Sequence, residues 1–192
     1  MPPKCRFTRE EIIQAALDLT AEKGVGALTA RGLAQRLGSS AKPIFGLFAN
    51  MEEVQQEVVK AANLRYQEYL RQDMSAGRYP PYKASGMAYI RFAREQKELF
   101  KLLFMRDRTH EEKAAGDELE ALLGLIQKSM GLSRDDAYRF HLEMWIYVHG
   151  IATMIATAYL EWDMDFISAA LTDAYQGLRL RFLPKETEGE RK

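Results

Sequence analysis

Residues 28–50 read Leu28-Thr29-Ala30-Arg31-Gly32-Leu33-Ala34-Gln35-Arg36-Leu37-Gly38-Ser39-Ser40-Ala41-Lys42-Pro43-Ile44-Phe45-Gly46-Leu47-Phe48-Ala49-Asn50, and their order decides the fold. Thr29 offers a hydroxyl to the free N–H groups at a helix start, and Leu28 and Leu33 stand where a hydrophobic staple closes that start. The helix is short, because Gly38 breaks it just after Leu37. Ser39 and Ser40 form the connection. A second short helix is expected over residues 41–48, capped by Ser40. Pro43 falls in its first turn, where a missing N–H costs little. Small Ala34 lets the two helices cross closely, and Gly38 takes the turn without a Cβ clash. Ile44 points back into the pair beside Leu33, Leu37 and Leu47. Two short helices joined by a glycine turn form a helix-turn-helix.

The flanks extend the pattern. Upstream, Thr8-x-x-Glu11 is a capping box, with Phe7 and Ile12 as its staple. Ile12, Ala16 and Leu19 then form an apolar stripe, and Lys23-Gly24 supplies a cationic last turn and a stop. Downstream, Asn50-x-x-Glu53 caps a long fourth helix with Val54, Val58, Ala61 and Ala62 on one face. Ser75-Ala76-Gly77 and Pro80-Pro81 break the pattern. Helices are then expected near 82–94, 96–105 and 111–130, from Ser133 to Leu160, and from Asp163 or Asp165 onward. The last should turn Phe166, Ile167, Ala170, Leu171, Ala174, Leu178 and Phe182 inward. The period stays close to 3.6 and no strand-like alternation stands out, so the fold class is all-α, with about nine helices.

Composition bounds the function. The chain has 192 residues, 47% hydrophobic and 28% charged, which suits one or two small globular domains. Its net charge is zero, excluding a uniformly basic coat. Residues 1–50 nevertheless carry seven Lys or Arg against four Asp or Glu, so the positive end is the one with the helix-turn-helix. Cys5, the single cysteine, allows no internal disulfide and no cysteine-based zinc site. Lys4 and Arg6 lead into Thr8-Arg9-Glu10-Glu11 rather than an apolar run, so no secretory signal is read and a cytoplasmic protein is expected. Met144 to Leu160 is 17 residues long, at the short limit for a bilayer, and carries His149, Thr153 and Thr157. It reads as a helix buried on most sides, so no membrane partner is expected. His141 and His149 are too far apart for one metal without further ligands, and His110 sits beside Glu111-Glu112 in a connection. No metal and no cofactor are expected. Nucleophile elbow, phosphate-binding glycine loop and His-Glu-x-x-His pattern are all missing, so the chain does not read as an enzyme. Glu111-Glu112 and Asp135-Asp136 read as solvated helix starts.

Residues 7 to about 60 resemble the DNA-binding domain of the tetracycline-repressor family. The resemblance runs through Ile13-x-x-Ala16-x-x-Leu19, Lys23-Gly24, Leu28-Thr29, Leu33-Ala34-x-x-Leu37-Gly38, Phe45-x-x-Phe48 and Glu53. The remainder fits in outline, and Trp145-x-x-x-His149-Gly150 resembles a Trp-His-Gly signature of one class of C-terminal domains in that family. The resemblance implies a helix-turn-helix domain over 1–50, a connecting fourth helix over 51–72, and a ligand-binding and dimerisation domain over 51–192. It also implies a homodimer on double-stranded DNA, reading a palindromic operator with half-sites about 34 Å apart. A small molecule would release it, most simply as a repressor, with activation left open.

Carried over by position, Thr29 holds a phosphate through its N–H and hydroxyl, and Arg31 holds a second. Ser40, Ala41 and Lys42 face base edges. Phe45 occupies the place of a phosphate-contacting tyrosine, and Asn50 starts the fourth helix beside the backbone. This chain departs from the pattern in three places. Phe45 lacks the hydroxyl, Gly46-Leu47 replaces a polar or aromatic pair, and Met51 stands where the family often has lysine. Each change removes a donor. That motivates an alternative: a helical small-molecule sensor or adaptor without specific operator binding.

The second half is rich in soft and flat side chains. Tyr89, Phe92, Phe104, Met105, Met144, Trp145 and His149 are the expected lining for a small apolar or aromatic ligand. Trp145 and His149 lie one turn apart on one face, and Gly150 permits close approach. His149 reads either as a polar anchor or as a core histidine satisfied by a neighbouring carbonyl. Small Ala152 and Ala156, with Leu171 and Leu178, are expected at a four-helix dimer interface burying ~1,500 Å² or more.

Overall fold

Thr8 caps the first helix through the box its spacing predicts: its Oγ1 accepts from the Glu11 N–H at 3.1 Å, while the Glu11 carboxylate accepts from the Thr8 N–H at 2.8 Å. The same economy of caps and breakers sets most of the later elements. A computed structural model describes residues 7–107, 109 and 116–182. Among these, the helices are α1 (Arg9–Lys23), α2 (Ala30–Arg36), α3 (Lys42–Phe45), α4 (Met51–Ser75), α5 (Pro81–Glu95), α6 (Lys97–Phe104), α7 (Asp117–Met130), α8 (Arg134–Ala156) and α9 (Met164–Phe182). A single 3-10 turn, Val25–Ala27, joins α1 to the α2 start, and no strand occurs among the described residues. Lys4, Cys5, Arg6, His110, Glu111 and Glu112 lie outside the described residues, as does the expected start of α7 near 111.

Two units make up the chain. The first takes in the described residues of Met1–Gln72 and Arg91–Thr109. Its core is built on α1, which packs on α2 and α6. Ile12, Ala16, Leu33, Ile44, Val54, Leu99 and Phe100 are fully or almost fully buried there. Aromatic rings join α4, α5 and α6: Tyr66 meets Phe92 at 5.4 Å and Phe104 at 5.3 Å, and Tyr69 stands edge-on to Phe92. Gly24 closes α1 at φ +78°, and a Cβ there would lie 2.7 Å from the Glu98 carboxylate of α6. Glycine is needed at that position for its φ; the Glu98 carboxylate, at the end of a flexible side chain, can move aside.

The second unit takes in the described residues of Asp73–Ile90 and His110–Lys192. Leu123 and Ile126 of α7 meet Ala137, Phe140 and Met144 of α8, with Tyr175, Leu178 and Phe182 of α9 packed against them. Phe140 presents its face or edge to Tyr175 at 5.3 Å and Phe182 at 5.5 Å. Two hydrogen bonds tie α5 to α8: Tyr82 hydroxyl with His141 Nδ1 at 3.1 Å, and Tyr89 hydroxyl with His149 Nδ1 at 2.8 Å.

Three elements differ from the sequence reading. α8 ends at Ala156 rather than near Leu160. Thr157 turns its hydroxyl back to the Thr153 and Met154 carbonyls, Ala158 takes φ +54°, and Tyr159 N–H closes onto the Met154 carbonyl. The side chain at Thr157 thus competes for the carbonyls that the next turn would need. α9 is capped by Asp163, whose carboxylate accepts from the Phe166 N–H at 2.7 Å. Phe166, expected inward, is exposed and lies against Trp162 instead. Finally, α3 is one turn long rather than two. No helix among the described residues is long and apolar enough to cross a membrane; the stretch tested for that role is the second half of α8 and the turn after it, buried at Val148, Ile151, Ala152, Ile155 and Ala156 but exposed at Trp145, Ile146, Tyr147 and Tyr159 rather than buried on most sides.

Candidate nucleic-acid interface

α2 starts at Thr29, whose Oγ1 accepts from the Gly32 N–H at 3.0 Å. The Thr29 N–H is itself occupied, donating to the Ala27 carbonyl at 2.9 Å. Of the two groups expected to hold a phosphate, the N–H is therefore spent in the fold, and the hydroxyl proton is the one left to donate. Gly32 makes this entry possible. A Cβ there would stand 2.5 Å from the Ala27 carbonyl oxygen, closer than any side chain tolerates.

Gly38 takes the turn at φ +58°, as the sequence requires, and Ser39 N–H returns to the Ala34 carbonyl at 3.0 Å. The cap of α3 differs from expectation. Ser40 is exposed and does not cap it; Ala41 holds that place without a side-chain bond. Pro43 explains this, because it lacks the N–H that a serine three residues earlier would meet. Ile44 is wholly buried and pins α3 to the unit, while Leu47 and Phe48 N–H groups both bond the Ile44 carbonyl.

The burial of Ile44 turns its neighbours outward. Thr29, Arg31, Ser40, Lys42, Phe45 and Asn50 are exposed, and Ala41 is half-buried. Ala41 and Arg31 line an open groove of about 650 Å³ with Ala30, Ala34, Gln35 and Ser39. The cations divide by use. Arg36 forms a paired contact with Glu22 at 2.7 and 2.9 Å. Arg9 bonds the Leu47 carbonyl at 2.9 Å and Glu53 at 2.8 Å, and lies 4.2 Å over the Phe48 ring. Among the described residues, Arg31 and Lys42 take part in no ion pair, so both charges remain available to an anion.

Asn50 acts first as a cap, its Oδ1 accepting from the Glu53 N–H at 2.9 Å. The Ala49 N–H, and after it Arg9, holds the Glu53 carboxyl below its usual range. Sequence reading missed Arg9 entirely. Its partners stand 38 and 44 residues away, and nothing in its local pattern announces them.

The expected ligand lining falls in both units. Phe92 and Phe104 belong to the aromatic cluster of the first, and Met105 sits exposed at the end of α6. Met144 is a core residue between α7 and α8. Tyr89, Trp145 and His149 do meet. Trp145 stacks on the His149 ring at 4.8 Å and 10°, and Tyr89, 5% exposed, bonds its Nδ1. His149 Nδ1 thus pairs with a hydroxyl, and burial pushes its imidazole below the ordinary value. The matching pair, Tyr82 and His141, was not singled out in the sequence.

Ala152, Ala156 and Leu171 are buried inside the second unit, and Leu178 packs on its core. Burial removes the first three from any surface that a partner can cover. The small size of Ala152 and Ala156 serves internal helix packing equally well. The exposed apolar stripe of α8 is instead Tyr138, Leu142 and Ile146, joined in α9 by Leu180 among the exposed residues.

Residues 12–58, from α1 into α4, match the profile of the bacterial regulatory proteins of the tetR family. Residues 82–175, from α5 into α9, match that of a tetracyclin repressor-like C-terminal domain. No curated protein matches the chain.

Proposed function

Since the chain belongs to the tetR family of bacterial regulatory proteins, we propose that this DNA-binding transcriptional regulator is a repressor, released from a palindromic operator by a small molecule. The observation that carries the reading is the exposure of Arg31, Ser40, Lys42 and Phe45 around one short helix pair, with Arg31 and Lys42 unpaired. Residues 1–50 serve as the DNA-binding part, helix four (51–72) connects, and 51–192 bind ligand and dimerise. Arg31 and the Thr29 hydroxyl hold phosphates, and Asn50 lies beside the backbone. Ser40, Ala41 and Lys42 face base edges in the major groove. A second copy covers the Tyr138–Leu142–Ile146 stripe. The ligand is a small apolar or aromatic molecule near Tyr89, Trp145 and His149. The protein works in the cytoplasm, by binding rather than by turnover.

Selection of bound duplexes from a random pool, repeated with metabolite extracts, tests this reading. Two inverted half-sites about 34 Å apart, bound with steep salt dependence and lost when an extract is added, are the expected result. A dimer that takes up a ligand yet prefers no duplex at low salt points instead to a sensor without operator binding. The missing hydroxyl at Phe45 and missing charge at Met51 favour that second reading.

A further inference from the structure

Phe45 ends α3 with its ring 49% exposed. It is the one exposed aromatic side chain among the described residues of the first unit. Phe48, Phe92 and Phe100 are buried there, and Tyr66, Tyr69 and Phe104 are half-buried. A ring left in water forgoes part of the gain that burying a phenylalanine supplies, so it has surface to offer a partner. Its surroundings narrow what that partner is. Small Ala41 lies one turn before it on the same side of the helix, and Gly46 follows it directly, which leaves half of the ring open. Exposed Ser40 and Lys42 flank the same end of the unit. A phenyl ring has no donor for a phosphate oxygen. Among the base edges of the major groove, the distinctive apolar group is the C5-methyl of thymine.

Resting on the reading of α3 as the element that enters the major groove, we propose that Phe45 packs on a thymine methyl and selects thymine at one position in each half-site. Cytosine at that position is disfavoured twice. It lacks the methyl, and its N4 amino group loses water against a ring that offers no acceptor.

Deoxyuridine supplies the test, since it differs from thymidine by that methyl alone. Each thymine of the selected duplex is replaced singly and binding is followed by fluorescence anisotropy. One position per half-site should weaken binding about fourfold, and about fifteenfold when both half-sites are changed, at ~0.8 kcal/mol for each methyl. Phe45→Ala should bind the thymine duplex more weakly and lose the response. Phe45→Tyr, which keeps the ring, should retain it. Melting curves confirm that both variants fold. If no position responds although the pool yielded a preferred duplex, or if Phe45→Ala responds as the unaltered chain does, the inference is overturned while the regulator reading survives. A pool without any preferred duplex removes both.

Discussion

Arg31 and Lys42 carry the same charge, but the proposed reading gives them different work. Arg31 is the second residue of α2, just after the Thr29 cap, where the proposed reading has each of them hold a phosphate. Replacing it with alanine should weaken every duplex alike and lower the magnitude of the log–log salt slope by about one per half-site. With α3 against base edges, as proposed, Lys42→Ala should also weaken binding, but unequally among duplexes; an equal loss across sequences would make Lys42 a phosphate contact. Gly32 acts through the fold. Its missing Cβ leaves room for the Ala27 carbonyl, 2.5 Å from where that carbon would stand. Gly32→Ala forces backbone apart, so it should destabilise the first unit by roughly 1–3 kcal/mol in urea unfolding and abolish operator binding. Of the three glycines that the sequence marks for shape, Gly24 and Gly38 adopt positive φ as their places require, whereas a Cβ at Gly150 would meet nothing within 4 Å, so no close approach depends on it. Gly32 gave no such signal, because its role depends on a carbonyl folding back from outside its own helix.

At the scale of helices, caps and breakers were readable because they act within a few residues. Thr8, Thr29, Asn50, Ser133 and Asp163 all accept the backbone N–H that their spacing predicts. The cap box at Thr8 can be checked directly: Thr8→Ala should cost about 1 kcal/mol of stability, with little effect on DNA affinity once the chain is folded. Contacts between helices were less readable. Period alone places Trp145 and His149 on one face, but it does not pair α8 with α5. The two bonds Tyr82–His141 and Tyr89–His149 do so. They also give the joint a pH dependence whose sign follows from burial. Desolvation pushes both imidazoles below 6.5, so the unfolded chain takes up protons first on acidification. Their contribution is complete above about pH 6.5 and drains as pH falls through that value. Urea midpoints should therefore drop between pH 7.5 and pH 5.5, and the drop should shrink in His141→Gln. An equal drop in that variant would place the acid sensitivity elsewhere.

For the whole molecule, the question is what covers the apolar surface that one copy leaves open. The family implies dimerisation, and small residues were the natural choice for its seam, yet Ala152 and Ala156 close the interior of the subunit instead. The stripe that stays open runs along α8 at successive turns: Tyr138 at 40%, Leu142 at 39% and Ile146 at 66% exposure. Spacing of four residues keeps the three on one side of the helix, where they can meet the same stripe of a second copy about a two-fold axis. Ile146 is the most exposed of them and has the most to gain. Covering it in both copies is worth ~1.5–3 kcal/mol each, so Ile146→Glu should raise the dimer dissociation constant about a hundredfold or more. Sedimentation over a concentration series reads that change. The variant should still fold, since the side chain touches little within its own subunit. It should also still bind an isolated half-site as the unaltered chain does, while losing the added affinity of the full palindrome, because only the linkage of two reading heads has been removed. A variant that stays dimeric at the same concentrations would move the seam off this stripe of α8 and leave α9, with exposed Leu180, as the next face to test.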